Sequence, residues 1–264
     1  MKKFPYISLH PKLGAVLELI IGLVWLTFLP QIDFWWKLVI WGAARLVVWV
    51  VLLRLVFYST GLSRFKHFFA LALFNIGIIA YIVFIDQLLT RQVVEALAVA
   101  LPAISIWLLP STDQELSFAL KPERRWRFFI AVLGLSGMWS GIIAGRAFGV
   151  YFINIGWLVA AMTLITSAVS AWWWWEYALP IGRRFWESLF VITLLTLETG
   201  WAVTVSPLGF FEGGLVIIWM WYVLWLLMRF HISAEGIVWR KQIVSFVING
   251  AGLVALVTLI ARWK

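Results

Sequence analysis

Two acidic side chains and one arginine lie within long apolar segments of the sequence, namely Glu18, Arg45 and Glu198. An ionisable side chain inside a membrane span costs about 2.5–3.5 kcal/mol on insertion scales, so each of these groups needs a partner or a function. Glu18 lies 12 residues before Pro30, and Arg45 lies 11 residues after Phe34. In a helical hairpin, both side chains would lie about 17 Å from the turn. We therefore expect a salt bridge between the first two helices, which is either a structural staple or a site for an anion or a proton.

Glu198 is the strongest candidate for a functional group without an ion-pair partner. It lies eight residues before Ser206, which is about 12 Å along a helix. No base in a neighbouring loop matches that depth. A carboxyl group there suits proton coupling, and it equally suits a hydrogen bond that only holds helices together. Asn75 and Asn249 also interrupt apolar segments, where we expect interhelical hydrogen bonds and consider a permeation path as the alternative.

Glycines recur at every fourth position in the segment from residue 137 to residue 149. These four residues are Gly137, Gly141, Gly145 and Gly149. A stripe without side chains predicts a helix surface that another backbone approaches closely. We expect the sixth helix to pack there, through small residues such as Ala160, Ala161, Ser167 or Ala171. A homodimer across the stripe is the alternative.

The same segment contains the run Gly134-Leu135-Ser136-Gly137, which resembles the GxSG nucleophile motif of rhomboid intramembrane proteases over four of the 264 residues. The resemblance implies a nucleophile at Ser136 and a base at the same depth. The three histidines, His10, His67 and His231, all fall in loops or at the ends of predicted spans. We therefore interpret the motif as part of the glycine stripe and expect no catalytic residue.

Other chemistry-bearing patterns are missing from the sequence. It has no cysteine, no HExxH or paired DxxxD motif, no phosphate-binding loop and no lysine deep in an apolar segment. These gaps disfavour thiolate and metal sites, nucleotide hydrolysis and a Schiff-base cofactor. We expect neither a metal nor another cofactor.

The composition determines the class of protein that must position these residues. Apolar residues make up 64% of the chain and charged residues 12%, and the mean hydropathy is +0.97. These values predict an all-α, multi-pass bundle that forms a single membrane domain, residues 1–264, with no soluble domain. We place nine spans near residues 12–30, 34–58, 66–88, 91–110, 126–146, 149–175, 185–206, 212–230 and 240–262.

The basic residues divide unequally between the two sides of such a bundle. One side holds Lys2, Lys3, Lys12, Arg54, Arg64, Lys66, Lys121, Arg124, Arg125, Arg127, Arg183, Arg184, Arg229, Arg240 and Lys241, and the other holds Lys37, Arg91, Arg146, Arg262 and Lys264. Because basic loops stay in the cytoplasm, we expect a cytoplasmic N-terminus and an external C-terminus, in a bacterial-type cytoplasmic membrane. This division also accounts for the net charge of +9 without nucleic acid as a partner.

Four consecutive tryptophans, Trp172, Trp173, Trp174 and Trp175, fall near the predicted cytoplasmic end of the sixth span. Indoles are favoured at the headgroup boundary, so we interpret them as interface anchors, with a stacked-ligand platform as the alternative. We also expect anionic lipid at the cytoplasmic loops, above all where residues 111–127 could form a surface helix followed by a basic lipid clamp.

The mid-depth charges favour a carrier or channel for a small solute or a lipid, with Glu18, Arg45 and Glu198 as its polar groups. Two alternatives stay open. One is a membrane-embedded partner, assembly or scaffold subunit without enzymatic activity, and the other is a lipid-modifying enzyme.

Overall fold

The computed structural model describes residues 9–56, 61–85, 87–109, 116–149 and 154–260, and these residues form an all-α fold. The α-helices are α1 Pro11–Thr27, α2 Trp35–Val56, α3 Gly61–Phe84, α4 Leu88–Trp107, α5 Leu116–Ala147, α6 Ile155–Glu176, α7 Arg183–Val205, α8 Phe210–Ile232 and α9 Trp239–Ala255. A 3₁₀ turn, Leu29–Gln31, follows α1, and a π-helical turn, Leu256–Ile260, extends α9.

Eight of the described helices are long and apolar enough to cross a bilayer, with spans of 20 to 26 residues. A crossing helix needs about 20 apolar residues. The protein is therefore a multi-pass integral membrane protein. The expected ninth span corresponds to α9, which has only 17 α-helical residues.

Helix boundaries lie within three residues of the expected spans except at α3, α5, α6 and the end of α9. The α3 helix runs from Gly61 to Phe84, where residues 66–88 were expected. The α5 helix begins at Leu116 instead of near residue 126, and its 32 residues run without interruption past Pro122. The segment that was expected to form a separate surface helix thus continues into the span, although residues 110–115 lie outside the described part of the chain. The α6 helix begins at Ile155, where the side chain of Asn154 accepts a hydrogen bond from the Gly156 amide at 2.8 Å.

The helices group into two compact units, residues 1–134 and residues 135–264, and α5 contributes to both. In the first unit α1 packs along α4 and contacts α2, while α3 contacts α2 and α4. One face of α1 is buried, through Gly14, Glu18, Gly22 and Trp25. Their spacing of three or four residues places the four side chains on one stripe of the helix. This stripe carries the acidic member of the buried ion pair.

A close backbone crossing joins α3 to α5 in the first unit. A Cβ atom added to Gly77 would collide with the carbonyl group of Gly134, and one added to Gly134 would lie 2.5 Å from the carbonyl carbon of Leu73. Only glycine permits that approach.

In the second unit α7 packs against both α6 and α8. The Trp139 ring of α5 is fully buried, and its Nε1 donates to Thr166 Oγ1 of α6 at 3.2 Å. A Cβ atom on Gly200 would lie 2.9 Å from that ring, so this glycine makes room for the indole. At Gly214 of α8 a Cβ atom would lie 2.7 Å from the backbone nitrogen of Ser140.

Candidate functional site

The expected salt bridge between the first two helices is present. Arg45 Nη2 on α2 donates to Glu18 Oε1 on α1 at 2.5 Å. Trp49 Nε1, one turn further along α2, donates to the same carboxylate oxygen at 2.9 Å. The side chains of Glu18 and Arg45 are 0% and 1% exposed. The pair is therefore a fully buried, charge-assisted contact inside a membrane-spanning hairpin.

Small and aromatic side chains surround the guanidinium group. A Cβ atom on Gly22 would lie 2.8 Å from Arg45 Nη2, so the missing side chain leaves room for the arginine. The guanidinium carbon lies 4.8 Å from the centre of the Trp25 ring and 5.3 Å from that of Trp49. Tryptophan is the strongest cation–π partner among the aromatic residues. These contacts stabilise a positive charge that the hydrocarbon would otherwise disfavour.

A reciprocal tryptophan pair lies next to the arginine. The rings of Trp25 and Trp41 stack with centres 3.6 Å apart and planes 7° apart. Each indole Nε1 donates to the backbone carbonyl of the other residue, and both distances are 2.9 Å. Both N–H groups are thus satisfied without water, and the two hydrogen bonds hold α1 to α2 at the level of the site.

Only some of the polar atoms of this ion pair have hydrogen-bond partners. Glu18 Oε1 accepts two hydrogen bonds. Glu18 Oε2, Arg45 Nε and Arg45 Nη1 are buried and have no hydrogen-bond partner within the described residues. Such orphaned atoms are uncommon, because a buried polar group without a partner costs about 1–3 kcal/mol. The cluster can therefore accept one further hydrogen-bonding group.

An apolar groove of about 520 Å³ adjoins this cluster. It is lined by side chains from α1, α2 and the turn between them, among them Trp25, Trp41, Ala44 and Lys37. Lys37 forms an ion pair with Asp33, and the hydrogen bond from Lys37 lowers the pKa of the Asp33 carboxyl group. Trp25 lines the groove, and its ring also contacts the guanidinium group of Arg45.

A second buried polar network occupies the first unit, and the sequence analysis did not identify it. His67 Nε2 on α3 lies 3.0 Å from Ser105 Oγ on α4, and His67 Nδ1 lies 3.4 Å from Glu123 Oε1 on α5. Arg127 Nη1 donates to the same carboxylate oxygen at 3.1 Å. All four residues are buried, with 5% or less of their surface exposed. The only sequence signal was the spacing of Glu123 and Arg127, which suits an ion pair on one helix face.

The Ser–His–Glu order in this network is that of a hydrolase triad. Ser105 is 0% exposed, however, so a substrate carbonyl carbon has no access to its Oγ in this conformation. The arrangement can share a proton between the three helices and hold them together. Arg127 was expected in a lipid-facing basic clamp. It is buried instead, and it forms an ion pair with Glu123 one helical turn earlier. Arg125 is exposed.

The two candidate asparagines make hydrogen bonds between helices. Asn75 Nδ2 on α3 donates to the Gly42 carbonyl of α2 at 3.0 Å. Asn249 Oδ1 on α9 accepts from Trp219 Nε1 on α8 at 3.3 Å, and its amide nitrogen donates to the Ser245 carbonyl at 2.8 Å. These bonds are of the kind that holds membrane helices together.

Glu198 belongs to the second unit and lies on the exposed face of α7. The opposite face of α7, which includes Ile192, Thr196 and Gly200, is buried. Glu18 and Arg45 belong to the first unit. The structure thus brings Glu18 and Arg45 into one site, and it gives Glu198 a separate, outward position.

The other predicted positions are divided between the interior and the surface. Gly137, Gly141 and Gly145 are buried, whereas Gly149 is exposed beyond the end of α5 with a φ of 64°.

Of the four tryptophans, Trp173 and Trp174 are 0% exposed and Trp175 is 56% exposed. The half-buried Trp172 donates to Glu176 Oε1 at 3.1 Å. Trp173 and Trp174 therefore pack inside the protein, and the anchor role stays a prediction for Trp172 and Trp175.

The fold and these buried sites define a multi-pass α-helical membrane protein with a charged cluster inside its first helical hairpin. Comparison with known proteins gives no closer relationship, because no family model, curated protein or solved structure matches the chain. Within the described residues, no group of three or more His, Cys, Asp or Glu side chains could hold a metal ion.

Proposed function

We propose that the protein carries a small anion across the membrane, with Glu18 and Arg45 as its binding site. The observation that supports this proposal is the half-satisfied ion pair: two guanidinium nitrogens and one carboxylate oxygen are buried without partners in the described part of the chain. Arginine is well suited to an anion because it keeps its charge and presents five N–H donors.

The charges of the site suit an anion that moves together with a proton. The ion pair is neutral as a whole, so an added anion alone would leave one net negative charge in the hydrocarbon. Protonation of Glu18 at Oε2 would restore neutrality while Arg45 holds the anion. Glu18 is then the proton-coupling group and Arg45 is the anion-binding group.

The groove provides the route to the site. Trp25 lines the groove and contacts the guanidinium group, and two hydrogen bonds hold its ring against Trp41. A change in the Trp25 rotamer, together with a small shift of α1 relative to α2, would connect the groove with Arg45. The complete burial of the ion pair favours a small ion over a lipid.

The proposal also covers the setting of the protein. We place it in a bacterial-type cytoplasmic membrane, because the unequal division of basic residues suits that orientation. Exposed arginines such as Arg125 and Arg184 are suited to contact anionic lipid headgroups.

Anion flux into liposomes tests the proposal. The purified protein is reconstituted, and the uptake of chloride and of nitrate is measured with and without an inward proton gradient. We expect the R45K variant to lose about tenfold or more of the flux, because the ammonium group keeps the ion pair but has three donors on a single nitrogen in place of the five donors of the planar guanidinium group. A matched control is R91K, which changes a partly exposed ion pair with Glu95 and should leave the flux unchanged.

Two results would overturn the proposal. One is a flux from the parent protein equal to that of empty liposomes for both anions. The other is a flux from R45K equal to that of the parent. Thermal unfolding of each variant in detergent shows whether R45K is folded. E18D is a second variant, in which the shorter side chain keeps its charge but increases the distance between the carboxylate and the Arg45 guanidinium group.

A further inference from the structure

The buried atoms without partners in the Glu18–Arg45 cluster include both donors and an acceptor. Arg45 Nε and Nη1 are donors, and Glu18 Oε2 is an acceptor when the carboxyl group is ionised. Among the described residues, none forms a hydrogen bond with any of these three atoms. A ligand that completes the site must therefore accept hydrogen bonds from the guanidinium group and also present a proton to Oε2.

The anions of strong acids meet only the first of these requirements. Chloride and nitrate accept hydrogen bonds from a guanidinium group, but they hold a proton too weakly to present one to a carboxylate. The anion of a carboxylic acid differs, because its oxygens bind a proton about as strongly as the carboxylate of Glu18 does. Two carboxylates that lie together share one proton, and the O–H···O⁻ bond between them is short and charge-assisted.

We infer that the anion of the proposed site is a small monocarboxylate, which binds together with one proton shared between its own oxygen and Glu18 Oε2. This inference rests on the proposed function and names the chemical class of the anion. The other oxygen of the ligand accepts a hydrogen bond from Arg45 Nε or Nη1. The shared proton comes from water, and nothing is oxidised or reduced.

Charge and space both limit the ligand. The positive charge of Arg45 balances two carboxylates that share one proton, whereas a dicarboxylate would leave a net negative charge in the hydrocarbon. A Cβ atom on Gly22 would lie 2.8 Å from Arg45 Nη2 and 3.1 Å from Nη1, so this side of the guanidinium group has no room for an additional methyl group. Formate, the smallest carboxylate, is therefore the probe that fits best.

Calorimetric titration of the purified protein with formate and with nitrate tests the inference. Both ions are planar and carry one negative charge, so they differ mainly in how strongly they hold a proton. At mildly acidic pH and constant ionic strength, we expect formate to bind about tenfold or more tightly than nitrate, because only formate shares the proton strongly. This comparison needs no variant, so it does not depend on whether a substituted protein folds.

The possible results separate this inference from the proposed function. If formate and nitrate bind the parent equally and R45K weakens both, the inference is wrong and the anion site stands. If neither ion binds the parent, both proposals are wrong.

The E18Q variant tests the shared proton directly. An amide at this position donates an N–H to either anion and no longer shares a proton, so the preference for formate over nitrate should fall about threefold or more. R91K is the matched control and should keep the preference of the parent. An unchanged preference in folded E18Q would show that Glu18 does not share the proton.

Discussion

At the residue scale, burial decides how much a charged side chain contributes. Glu123 and Arg127 are almost completely buried, while Arg183 and Glu187 make a pair of the same type and spacing that is 91% and 53% exposed. The exposed pair is screened by water and contributes about 0–1 kcal/mol. Removal of one partner of a buried pair leaves the other charge without compensation and costs about 3–5 kcal/mol.

We therefore expect E123Q to destabilise the protein by about 3–5 kcal/mol, because it removes the buried carboxylate with which Arg127 forms an ion pair. S105A removes one neutral hydrogen bond to His67 and should cost only about 1 kcal/mol. E187Q is the control for the loss of a carboxylate at the surface. Reversible unfolding in detergent measures all three. If E123Q and E187Q were equally stable, the buried network would have no structural role.

At the scale of the helices, close packing depends on pairs of small residues whose partners the sequence does not reveal. Spacing alone indicated a stripe from Gly137 to Gly149. The packing of that stripe against another helix stays a prediction, and the close backbone contacts that the structure describes join Gly134 to Gly77, and Ser140 to Gly214. Each depends on a second helix distant in the chain. The Glu18–Arg45 contact could be predicted because a hairpin turn fixes the relative depth of two adjacent helices.

The dependence on distant helices also explains why the sequence did not predict the second polar network. Helix positions followed from the lengths of apolar segments and from prolines and glycines at their ends. His67, Ser105 and Glu123 lie on three helices, and their meeting depends on how α3, α4 and α5 rotate about their axes. The outward direction of Glu198 depends on rotation in the same way, and an apolar helix without strong amphipathic pattern gives little information about rotation.

We expect G134A to destabilise the first unit by about 1–3 kcal/mol, because its Cβ atom would lie 2.5 Å from the backbone of α3 and force the helices apart. G250A is the matched control, since no atom lies within 4 Å of its added Cβ. Within a helix that change should be neutral or stabilise by up to about 1 kcal/mol. Thermal unfolding in detergent compares the two, and similar midpoints for G134A and G250A would contradict the close crossing.

At the scale of the whole molecule, the number of crossings determines where the chain ends lie. Eight helices meet the length and hydropathy of a span, and α9 has 17 α-helical residues, which amount to about 26 Å. The π-helical turn continues it to Ile260. Arg240 and Lys241 at its start favour the cytoplasmic side for that end. A crossing by α9 therefore places the end of the sequence outside, and a helix lying on the membrane surface would leave it inside.

Reporter fusions distinguish these two arrangements. We expect a reporter fused after Lys264 to be active on the outer side, and one fused after Ile232, which retains α1 to α8, to be active in the cytoplasm. Substituting Arg240 and Lys241 by glutamine removes the charge that holds the start of α9 inside, and the outer signal of the full-length fusion should then fall. Cytoplasmic activity of both fusions would instead mean that the chain crosses eight times and that α9 lies along the bilayer. The proposed anion route does not depend on that result, because it uses helices that precede α9.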